Sequence, residues 1–337
     1  MVANVRPMAG GNRLEVAHLT VEVHRETGWR EAVRDVSFTV ESGERVALVG
    51  ESGSGKSLTA LSIAGLLSRG ARVTSGEILL DGTDLLTAGE KALRHIRGKT
   101  IGFVFQNPMT SLDPIVRVGS QVKETLQAHQ VGDRGSRDVR VVEVLERMGI
   151  RDAETRMHNY PHQFSGGMQQ RAMIAGALAA DPVILIADEP TTALDVTVQA
   201  RVLALLKSLS EERSLSLLMI THDLAVASQI ADRAIVMYAG RVLEDASLRT
   251  IVEHPHHPYT EALLALVPDL NNAVDLPAPI PGIPTPGWDA GSGCPFATRC
   301  VFAQLECSTT PWSLRSVSPG HLSACIRDPA SRRAKIP

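Results

Sequence analysis

The stretch Gly50-Glu51-Ser52-Gly53-Ser54-Gly55-Lys56-Ser57 decides what this chain folds into. It follows an apolar run, Arg45 to Val49, and matches the pattern G-x-x-x-x-G-K-[ST]. In that pattern the glycines let backbone N–H groups surround phosphates, the lysine reaches the β- and γ-phosphates, and the final hydroxyl ligates Mg²⁺. The octapeptide and the adjoining Leu58 therefore predict a nucleoside-triphosphate site in which Lys56 binds phosphate and Ser57 binds the metal.

The flanking sequence supplies the strand and the helix that such a loop needs. Val46 to Val49 is apolar throughout and predicts a buried strand, while Leu58 to Leu67 predicts an apolar helix. The N-terminus of that helix would direct N–H groups and the positive end of its dipole at bound phosphates. A glycine- and serine-rich turn can join a strand to a helix without any ligand, but the complete pattern in this context favours the phosphate site.

The composition is that of an ordinary globular protein. The 337 residues are 44% hydrophobic and 21% charged, which suggests about two domains. A net charge of -3 and an aromatic content of 4% argue against a nucleic-acid partner, because neither a basic surface nor a base-stacking platform is expected. The sequence has no apolar run of about 18 residues and no apolar leader at its start, so we expect a cytosolic protein without a membrane span.

Short strands are predicted on the N-terminal side of the phosphate loop and after it. Leu14 to Val23 and Val36 to Val40 alternate apolar and polar residues, which predicts a small antiparallel layer. Trp29 lies between them, in a predicted loop, where it could stack on a purine or be a partly exposed surface side chain. Thr100 to Phe105 predicts a further strand that ends at Gln106, the end of an α/β strand at which ligands gather.

Acidic and imidazole side chains follow two other apolar strands. The apolar run Val183 to Ala187 leads into Asp188 and Glu189. Burying acidic side chains at the end of a strand costs free energy unless they bind a metal or a substrate. Asp188 fits as a Mg²⁺ ligand and Glu189 as the group that orients or deprotonates water. His222 follows the strand Leu217 to Ile220 and could donate to a phosphate. Surface acids and a structural histidine are the alternatives.

Ser165-Gly166-Gly167 opens a predicted helix that runs to Ala180. Two glycines behind a serine at a helix start can form a second anion cradle from N–H groups and the helix dipole. Ordinary N-capping by Ser165 explains the same residues equally well.

Six motifs occur in one order along the chain, and together they resemble those of a known family. They are the phosphate loop, Gln106, Ser165-Gly166-Gly167, Asp188-Glu189, Ala193-Leu194-Asp195 and His222. They resemble the Walker A, Q-loop, signature, Walker B, D-loop and H-loop motifs of the ATP-binding subunit of ABC transporters. The resemblance implies an α/β fold of the P-loop NTPase type. This would be an ABC nucleotide-binding domain over 12–250, with a RecA-like core, an antiparallel β layer and a helical subdomain at about 107–180.

The resemblance also implies ATP and Mg²⁺ as ligands and a role for each motif. Glu189 would be the catalytic base, His222 would contact the γ-phosphate, and Gln106 would link the metal and the γ-phosphate to a membrane partner. Asp195 would communicate across a head-to-tail dimer, in which the Ser165-Gly166-Gly167 helix completes the ATP site of the other subunit. Two departures from the family pattern are Phe164 and Met168, which stand where Leu and Gln are usual.

The adenine-stacking aromatic residue of the family usually lies three positions before the Val of an Ala-Val step. Here that position, counted from Val33, is Arg30, and Trp29 is displaced by one. Trp29 is therefore predicted to contact adenine, although it does not match the family position.

The C-terminal part resembles the dipeptide, oligopeptide and nickel importers of this family. The features that carry the resemblance are the helix start in His256 to Leu264, a proline-rich segment from Pro268 to Pro286, and four late cysteines. A C-terminal extension over 251–337 is expected. The resemblance implies a second, different ATPase subunit, two transmembrane permease subunits and an extracytoplasmic substrate-binding protein. It further implies a peripheral position on the cytoplasmic face of the membrane.

All four cysteines lie at the end of the chain, at Cys294, Cys300, Cys307 and Cys325. Disulfides are rare in the reducing cytosol, and four thiols suit an iron-sulfur cluster or a zinc ion. Zinc sites favour more closely spaced pairs, and the family resemblance also favours a [4Fe-4S] cluster. Zinc and unliganded thiols are the alternatives.

Two other functions fit the motifs less well. A soluble ABC-type ATPase of DNA repair or translation usually carries coiled-coil inserts or two fused nucleotide domains, whereas this chain has a single motif set. A P-loop kinase would leave Ser165-Gly166-Gly167 and the pair Asp188-Glu189 unexplained. The motifs therefore predict an importer ATPase.

Overall fold

The computed structural model describes residues 13–191, 194–267 and 279–329, which form two sheets and the helices around them. Within these ranges the strands are β1 (Leu14–Arg25), β2 (Gly28–Val40), β3 (Arg45–Val49), β4 (Ala71–Leu80), β5 (Thr83–Asp84), β6 (Ile101–Val104), β7 (Ile184–Asp188), β8 (Ser216–Thr221), β9 (Arg233–Tyr238), β10 (Arg241–Ser247), β11 (Arg315–Ser318) and β12 (His321–Ser323). The helices are α1 (Lys56–Ile63), α2 (Glu90–Ile96), α3 (Pro108–Ser111), α4 (Val118–Ala128), α5 (Arg134–Arg147), α6 (Ala153–Arg156), α7 (Gly166–Leu178), α8 (Val196–Arg213), α9 (Leu224–Ser228), α10 (Leu248–Glu253), α11 (Pro258–Leu264) and α12 (Leu305–Thr309). Short 3₁₀ helices span Pro161–Gln163 and Gly287–Asp289.

The larger sheet has the strand order β11-β12-β10-β9-β3-β8-β7-β6. The strands β9, β3, β8, β7 and β6 are parallel, and the remaining strands continue the sheet in antiparallel fashion. Val49 pairs with Thr221, and Asp188 pairs with Ile220. Because the carboxyl ends of these parallel strands meet at one edge, the loops that follow β3, β7 and β8 emerge side by side.

The parallel strands are buried on both faces, which explains their uninterrupted apolar sequences. In β3, Val46 and Leu48 belong to the apolar cluster under the antiparallel sheet, whereas Ala47 and Val49 belong to the cluster that contains the helical region. The α/β fold with a parallel core, predicted from the phosphate loop and the apolar strands, is confirmed.

The smaller sheet has the order β2-β1-β4-β5 and is antiparallel, as predicted. The predicted strand Val36 to Val40 is the end of the longer strand β2, because the hairpin turn comes directly after Arg25, which pairs with Gly28. Trp29 therefore lies in β2 opposite His24, and its predicted position in a loop is wrong.

Helices α3 to α7 lie within the region where a helical subdomain was predicted, at about 107–180, and α4 to α7 share one apolar cluster with the core sheet. A one-turn helix, α3, precedes α4. Helix α1 ends sooner than predicted. Gly65 adopts a left-handed conformation, and the N–H groups of Gly65 and Leu66 donate to Ser62 O and Leu61 O, which closes the helix with a Schellman motif.

The C-terminal extension contributes to the larger sheet. β12 pairs with β10 through Glu244 and Ser323, and β11 pairs with β12. These two short strands were not predicted. The proposed boundary between 12–250 and 251–337 stays a prediction, and residue 12, Pro268 and the last residues of the extension lie outside the described ranges.

Candidate functional site

The loop between β3 and α1 is packed against the backbone of its neighbours. Gly50 has φ +156°, and a Cβ there would lie 2.1 Å from the carbonyl oxygen of Met237 in β9. Gly55 has φ +100°, and a Cβ there would lie 3.2 Å from the carbonyl oxygen of Ala32 in β2. Glycine is required at both positions because of the close approach and the backbone conformation.

Lys56 folds back over this loop. Its Nζ donates hydrogen bonds to Gly50 O at 2.6 Å, Glu51 O at 2.9 Å and Ser54 Oγ at 3.2 Å. Burial lowers the pKa of Lys56 to about 8, against the opposing effect of the carboxylates of Glu189, Asp188 and Glu51. A buried ammonium held by neutral oxygens can exchange them for phosphate oxygens, which fits the predicted phosphate contact.

Ser57 and Asp188 come together where α1 begins and β7 ends. The Ser57 hydroxyl donates to Asp188 Oδ1 at 3.1 Å. Asp188 is 6% exposed, and burial, together with the charge of Glu189, raises the pKa of its carboxyl group. Two adjacent hard oxygen atoms, one of them on a poorly solvated carboxylate, are suited to Mg²⁺, so these residues fit the predicted metal.

Glu189 is the centre of a hydrogen-bonded triad. Its Oε1 lies 3.0 Å from His222 Nδ1, and its Oε2 accepts from Gln106 Nε2 at 2.9 Å. Glu189 has φ +45°, and its N–H donates to Ile220 O at 2.9 Å, which fixes the residue at the strand tip. A left-handed non-glycine residue at such a tip stores backbone strain, a feature that concentrates at functional sites. The structure thus brings the three predicted catalytic residues together beside the phosphate loop.

The second predicted anion cradle lies elsewhere on the surface. Ser165 and Gly166 are exposed, and the Ser165 hydroxyl accepts from the Met168 N–H at 3.4 Å as the N-cap of α7. Gly167 faces Val198 and Leu194. Among the described residues, no hydrogen bond links this cradle to the phosphate loop.

Asp195 caps the next helix in the same way. Its Oδ1 accepts from the Val198 N–H at 2.9 Å at the start of α8. Ala193, which belongs to the same motif, lies outside the described residues. Asp195 therefore has a local structural role, and its predicted contact across a dimer stays a prediction.

The two tryptophans near the N-terminal half of the fold differ in their surroundings. Trp29 is covered by the guanidinium of Arg72, 4.1 Å from its ring centre, and contacts the edge of His24. Trp288 is covered in the same way by the guanidinium of Arg25, 4.6 Å from its ring centre, but it also lines a cleft together with Ser52–Ser54 of the phosphate loop. Trp288 was not among the predicted site residues, and its position in a proline-rich segment gave no periodic signal.

The C-terminal extension contacts the phosphate loop directly. The hydroxyl of Tyr259, at the start of α11, accepts from the Glu51 N–H at 2.8 Å, and Tyr259 is fully buried. His257 caps the same helix by accepting from the Tyr259 N–H, and its Nε2 lies 3.7 Å from Cys294 Sγ. The histidine-proline-tyrosine sequence thus connects the cysteine region to the phosphate loop, a role that sequence reasoning missed.

The four cysteines line one cavity, which also contacts Trp312 and Phe302. None of them is in a disulfide, and burial raises the pKa of Cys294 to about 12. In the part of the chain that the structure describes, no group of three or more His, Cys, Asp or Glu side chains is placed to hold a metal ion. The thiols share a cavity, but they are not gathered around a single ligand position.

Over the ranges described, none of the helices combines the length and the apolar character that crossing a membrane requires.

Known proteins show the same two-part organisation. Residues 33–192 match the family model described as ABC transporter, and residues 243–307 match the one described as oligopeptide/dipeptide transporter, C-terminal region. A peptide import ATP-binding protein of Brucella abortus (strain 2308) is 47% identical over 313 residues, covering 93% of this chain and 94% of that protein. Another from Brucella ovis is 46% identical over 312 residues, covering 88% of this chain and 91% of that protein.

Solved structures agree with the nucleotide-binding part. The ATP-binding cassette MJ0796, determined as a dimer bound to ADP and Pi, aligns with a TM-score of 0.64 at 32% identity, over 70% of this chain and 99% of that chain. cbiO1 from Clostridium perfringens, part of the transporter complex cbiONQ, aligns with a TM-score of 0.61 at 27% identity, over 72% of this chain and 90% of that chain. The chain therefore belongs to the ATP-hydrolysing subunits of ABC transporters, in the group that carries the oligopeptide/dipeptide transporter C-terminal region.

Proposed function

We propose that this chain drives the import of dipeptides, oligopeptides or a related small solute. It acts with a second, different ATPase subunit, two transmembrane permease subunits and an extracytoplasmic substrate-binding protein, on the cytoplasmic face of the membrane. The observation that carries the proposal is the direct contact between the two matched regions. The hydroxyl of Tyr259, in the transporter-type extension, accepts a hydrogen bond from the Glu51 N–H of the phosphate loop at 2.8 Å.

The geometry around Glu189 supports its role as the catalytic base. Its carboxylate lies at the strand edge, 14% exposed, between His222 and Gln106. Water that attacks the γ-phosphorus would give a proton to Glu189 while the bond from that phosphorus to the bridging oxygen of ADP breaks. His222 approaches Glu189 through Nδ1, which leaves Nε2 as the ring nitrogen available to the γ-phosphate.

Ser57 and Asp188 would hold Mg²⁺, which neutralises charge on the β- and γ-phosphates when bound. Lys56 supplies a second positive charge at the same phosphates. Gln106, which extends from the end of β6 to Glu189, is suited to sense both the metal and the attacking water. It also begins the segment that leads into the helical region, where the permease would dock.

The exposed Ser165-Gly166-Gly167 cradle supports a head-to-tail arrangement of two nucleotide subunits. Across the residues that the structure describes, no hydrogen bond joins it to this chain's own phosphate loop, and a nucleotide held by a partner subunit is a ligand that its N–H groups suit. Asp195 lies at the start of the adjacent helix α8, where it would meet the same partner. Two ATP molecules enclosed in this way would close the dimer, and hydrolysis would reopen it.

The cysteine region is proposed to hold a [4Fe-4S] cluster with a structural or docking role. The support is chemical: four cysteines without disulfides line one cavity, and thiolates are the usual ligands of such clusters. Zinc is the alternative. Anaerobically purified protein should be brown, with absorbance near about 400 nm and iron and sulfide in equal amounts, whereas a colourless protein with stoichiometric zinc would overturn the cluster.

The importer proposal is tested by copurification and uptake. A tagged chain expressed at its native level should copurify with two polytopic membrane proteins and a second ATPase subunit. A strain that lacks the chain should lose uptake of labelled di- or oligopeptides, and the wild-type chain should restore it. A monomeric protein that binds DNA and copurifies with no membrane protein would instead support a soluble DNA-repair ATPase, the main alternative.

A further inference from the structure

A buried arginine of the C-terminal extension reaches the phosphate loop. Arg299 lies between Cys294 and Cys300, and its side chain is 3% exposed. Its Nη1 and Nη2 donate to the two carboxylate oxygens of Glu51 at 2.5 and 3.1 Å. Glu51 is the second residue of the phosphate loop, so a two-bond ion pair joins the cysteine region to the ATP site.

The remaining donors of Arg299 are also occupied. Nε donates to Pro281 O at 2.7 Å, Nη2 to Ile280 O at 3.2 Å, and Nη1 to the Tyr238 hydroxyl at 3.3 Å. A buried guanidinium is tolerated when it is paired and hydrogen-bonded in this way. The extension and β9 therefore hold the Arg299 side chain in place through contacts other than its pair with Glu51.

Glu51 is held at three points, and each point matters for the loop. Its N–H donates to the Tyr259 hydroxyl, its carboxylate is paired with Arg299, and its carbonyl oxygen accepts from Lys56 Nζ at 2.9 Å. The first two contacts come from the extension, and the third reaches the lysine that binds phosphate. The extension thus determines the position of the residue that holds Lys56.

The charge of Glu51 gives Arg299 a second effect. A carboxylate on a loop that must bind a triphosphate repels the ligand, because like charges at close range disfavour each other. The guanidinium of Arg299 neutralises this carboxylate with short, charge-assisted bonds. Without Arg299, Glu51 would be left as an unpaired negative charge beside the phosphate site.

We propose that Arg299 is a positioning residue for nucleotide binding, which orients and neutralises Glu51 so that the phosphate loop presents Lys56 to the nucleotide. Nucleotide affinity consequently depends on how the cysteine region is seated, whatever the thiols bind. The proposal concerns binding by the single chain, so it stands independently of the transported solute and of the partner subunits.

The test measures equilibrium binding of a fluorescent ADP analogue with Mg²⁺ to the full-length chain, a ligand that is not hydrolysed. Arg299→Gln should weaken binding by about tenfold, since removing one partner of a buried charge pair leaves the other unpaired. Adding Glu51→Gln to this variant should restore affinity to within about threefold of wild type, because the repelling charge is gone. Arg299→Lys, which keeps the charge but not the paired geometry, should bind about threefold more weakly than wild type.

The matched control is Arg327→Gln. Arg327 belongs to the same extension and donates to Phe302 O, but it does not contact the phosphate loop. The affinity of Arg327→Gln for the ADP analogue should stay within about twofold of wild type. Thermal unfolding of every variant reports whether the extension stays folded. If Arg299→Gln does not fold, Arg299→Lys provides the measurement: binding about threefold weaker than wild type supports the proposal, and unchanged affinity overturns it.

Rescue by the double variant separates positioning from simple anchoring. If Arg299 only held the extension through Pro281 and Ile280, the double variant would bind as weakly as Arg299→Gln, and the proposal would be overturned. Unchanged affinity in Arg299→Gln would overturn it as well. Weakened binding that is rescued by neutralising Glu51 supports it.

Discussion

The two anion-binding elements of this chain are built in opposite ways. The phosphate loop is enclosed by β2, β9 and the C-terminal extension, and its Lys56 is 5% exposed and bonded to three oxygens. The Ser165-Gly166-Gly167 cradle is on the surface, and a Cβ added at Gly166 would meet no atom within 4 Å. The phosphate loop is packed against residues of its own chain, whereas the Ser165-Gly166-Gly167 cradle leaves room for a partner. In the proposed head-to-tail arrangement, a single protomer would hold a nucleotide on one side only.

The largest expected effect comes from the buried side of this comparison. Glu189→Gln should lower steady-state ATP hydrolysis of the assembled transporter by at least about 10²-fold, since general-base assistance is lost. ATP binding should persist, because Lys56 and Ser57 are untouched. Glu212→Gln, an exposed acid paired with Ser208, is the control and should hydrolyse ATP normally. Near-normal turnover in Glu189→Gln would exclude Glu189 as the base.

A substitution on the exposed side should separate folding from catalysis. Gly166→Asp should leave the single chain as stable as wild type, because the position is open and an acid suits a helix N-terminus. It should still lower ATP hydrolysis of the assembled pair by roughly 10- to 100-fold, because it places a negative charge where the partner's phosphates bind. Gly89→Asp, at the equally open N-cap of α2, should leave hydrolysis unchanged. Normal hydrolysis in Gly166→Asp would contradict the shared site.

The packing of the C-terminal extension against β10 should also depend on a buried carboxylate. Glu244 is fully buried and accepts from His321 Nε2 at 2.7 Å and from the N–H groups of His256 and His257. Burial alone would raise its pKa, but these hydrogen bonds lower it on balance. Glu244→Gln should therefore reduce the free energy of unfolding by about 2 kcal/mol at pH 7.

The pH dependence of this loss follows from the direction of the shift. A carboxyl group with a depressed pKa contributes stability above its unfolded pKa of about 4.3, and this contribution disappears as the pH falls through the lower folded pKa. Denaturant unfolding should show the difference between wild type and Glu244→Gln shrinking below about pH 4. Glu22→Gln, which breaks the more exposed pair with Arg72, should cost under about 1 kcal/mol. A gap for Glu244→Gln that stays constant with pH would argue against this account.

The smallest effect distinguishes Trp288 from Trp29. Trp288→Ala should weaken ATP binding by about tenfold, because base stacking is worth 1–3 kcal/mol and Trp288 lines the cleft beside Ser52–Ser54. Trp29→Ala should change affinity less than about twofold, since Trp29 is not among the residues that line this cleft. Nucleotide titration of both variants checks this. The reverse order would restore Trp29 as the adenine contact.

The parts of the fold that were predicted from the sequence are those with a strong local pattern. Strands β7 and β8 are buried on both faces and read as continuous apolar runs. The site residues Gln106, Glu189 and His222 could be inferred because each follows a predicted strand. Parallel strands with a common direction bring such residues to one edge.

The parts that were missed depend on contacts between distant segments. β11 consists of exposed residues, Arg315–Ser318, and becomes a strand only by pairing with β12. Tyr259, Trp288 and Arg299 reach the phosphate loop from a region more than two hundred residues later in the chain, and no local pattern encodes such a contact. The short helix α1 was overestimated because the apolar run continues past Gly65, whose left-handed conformation ends it.

The ion pair between Arg299 and Glu51 can form only late in the synthesis of the chain. The two residues are 248 positions apart, so at about 5–20 residues per second the ribosome adds Arg299 roughly 12–50 s after Glu51. During that interval the nascent chain can fold its core sheet, but its phosphate loop carries an unpaired carboxylate. A chain that is truncated by premature termination before Arg299 would keep that defect permanently. Only full-length chains would then reach assembly with a loop ready for nucleotide.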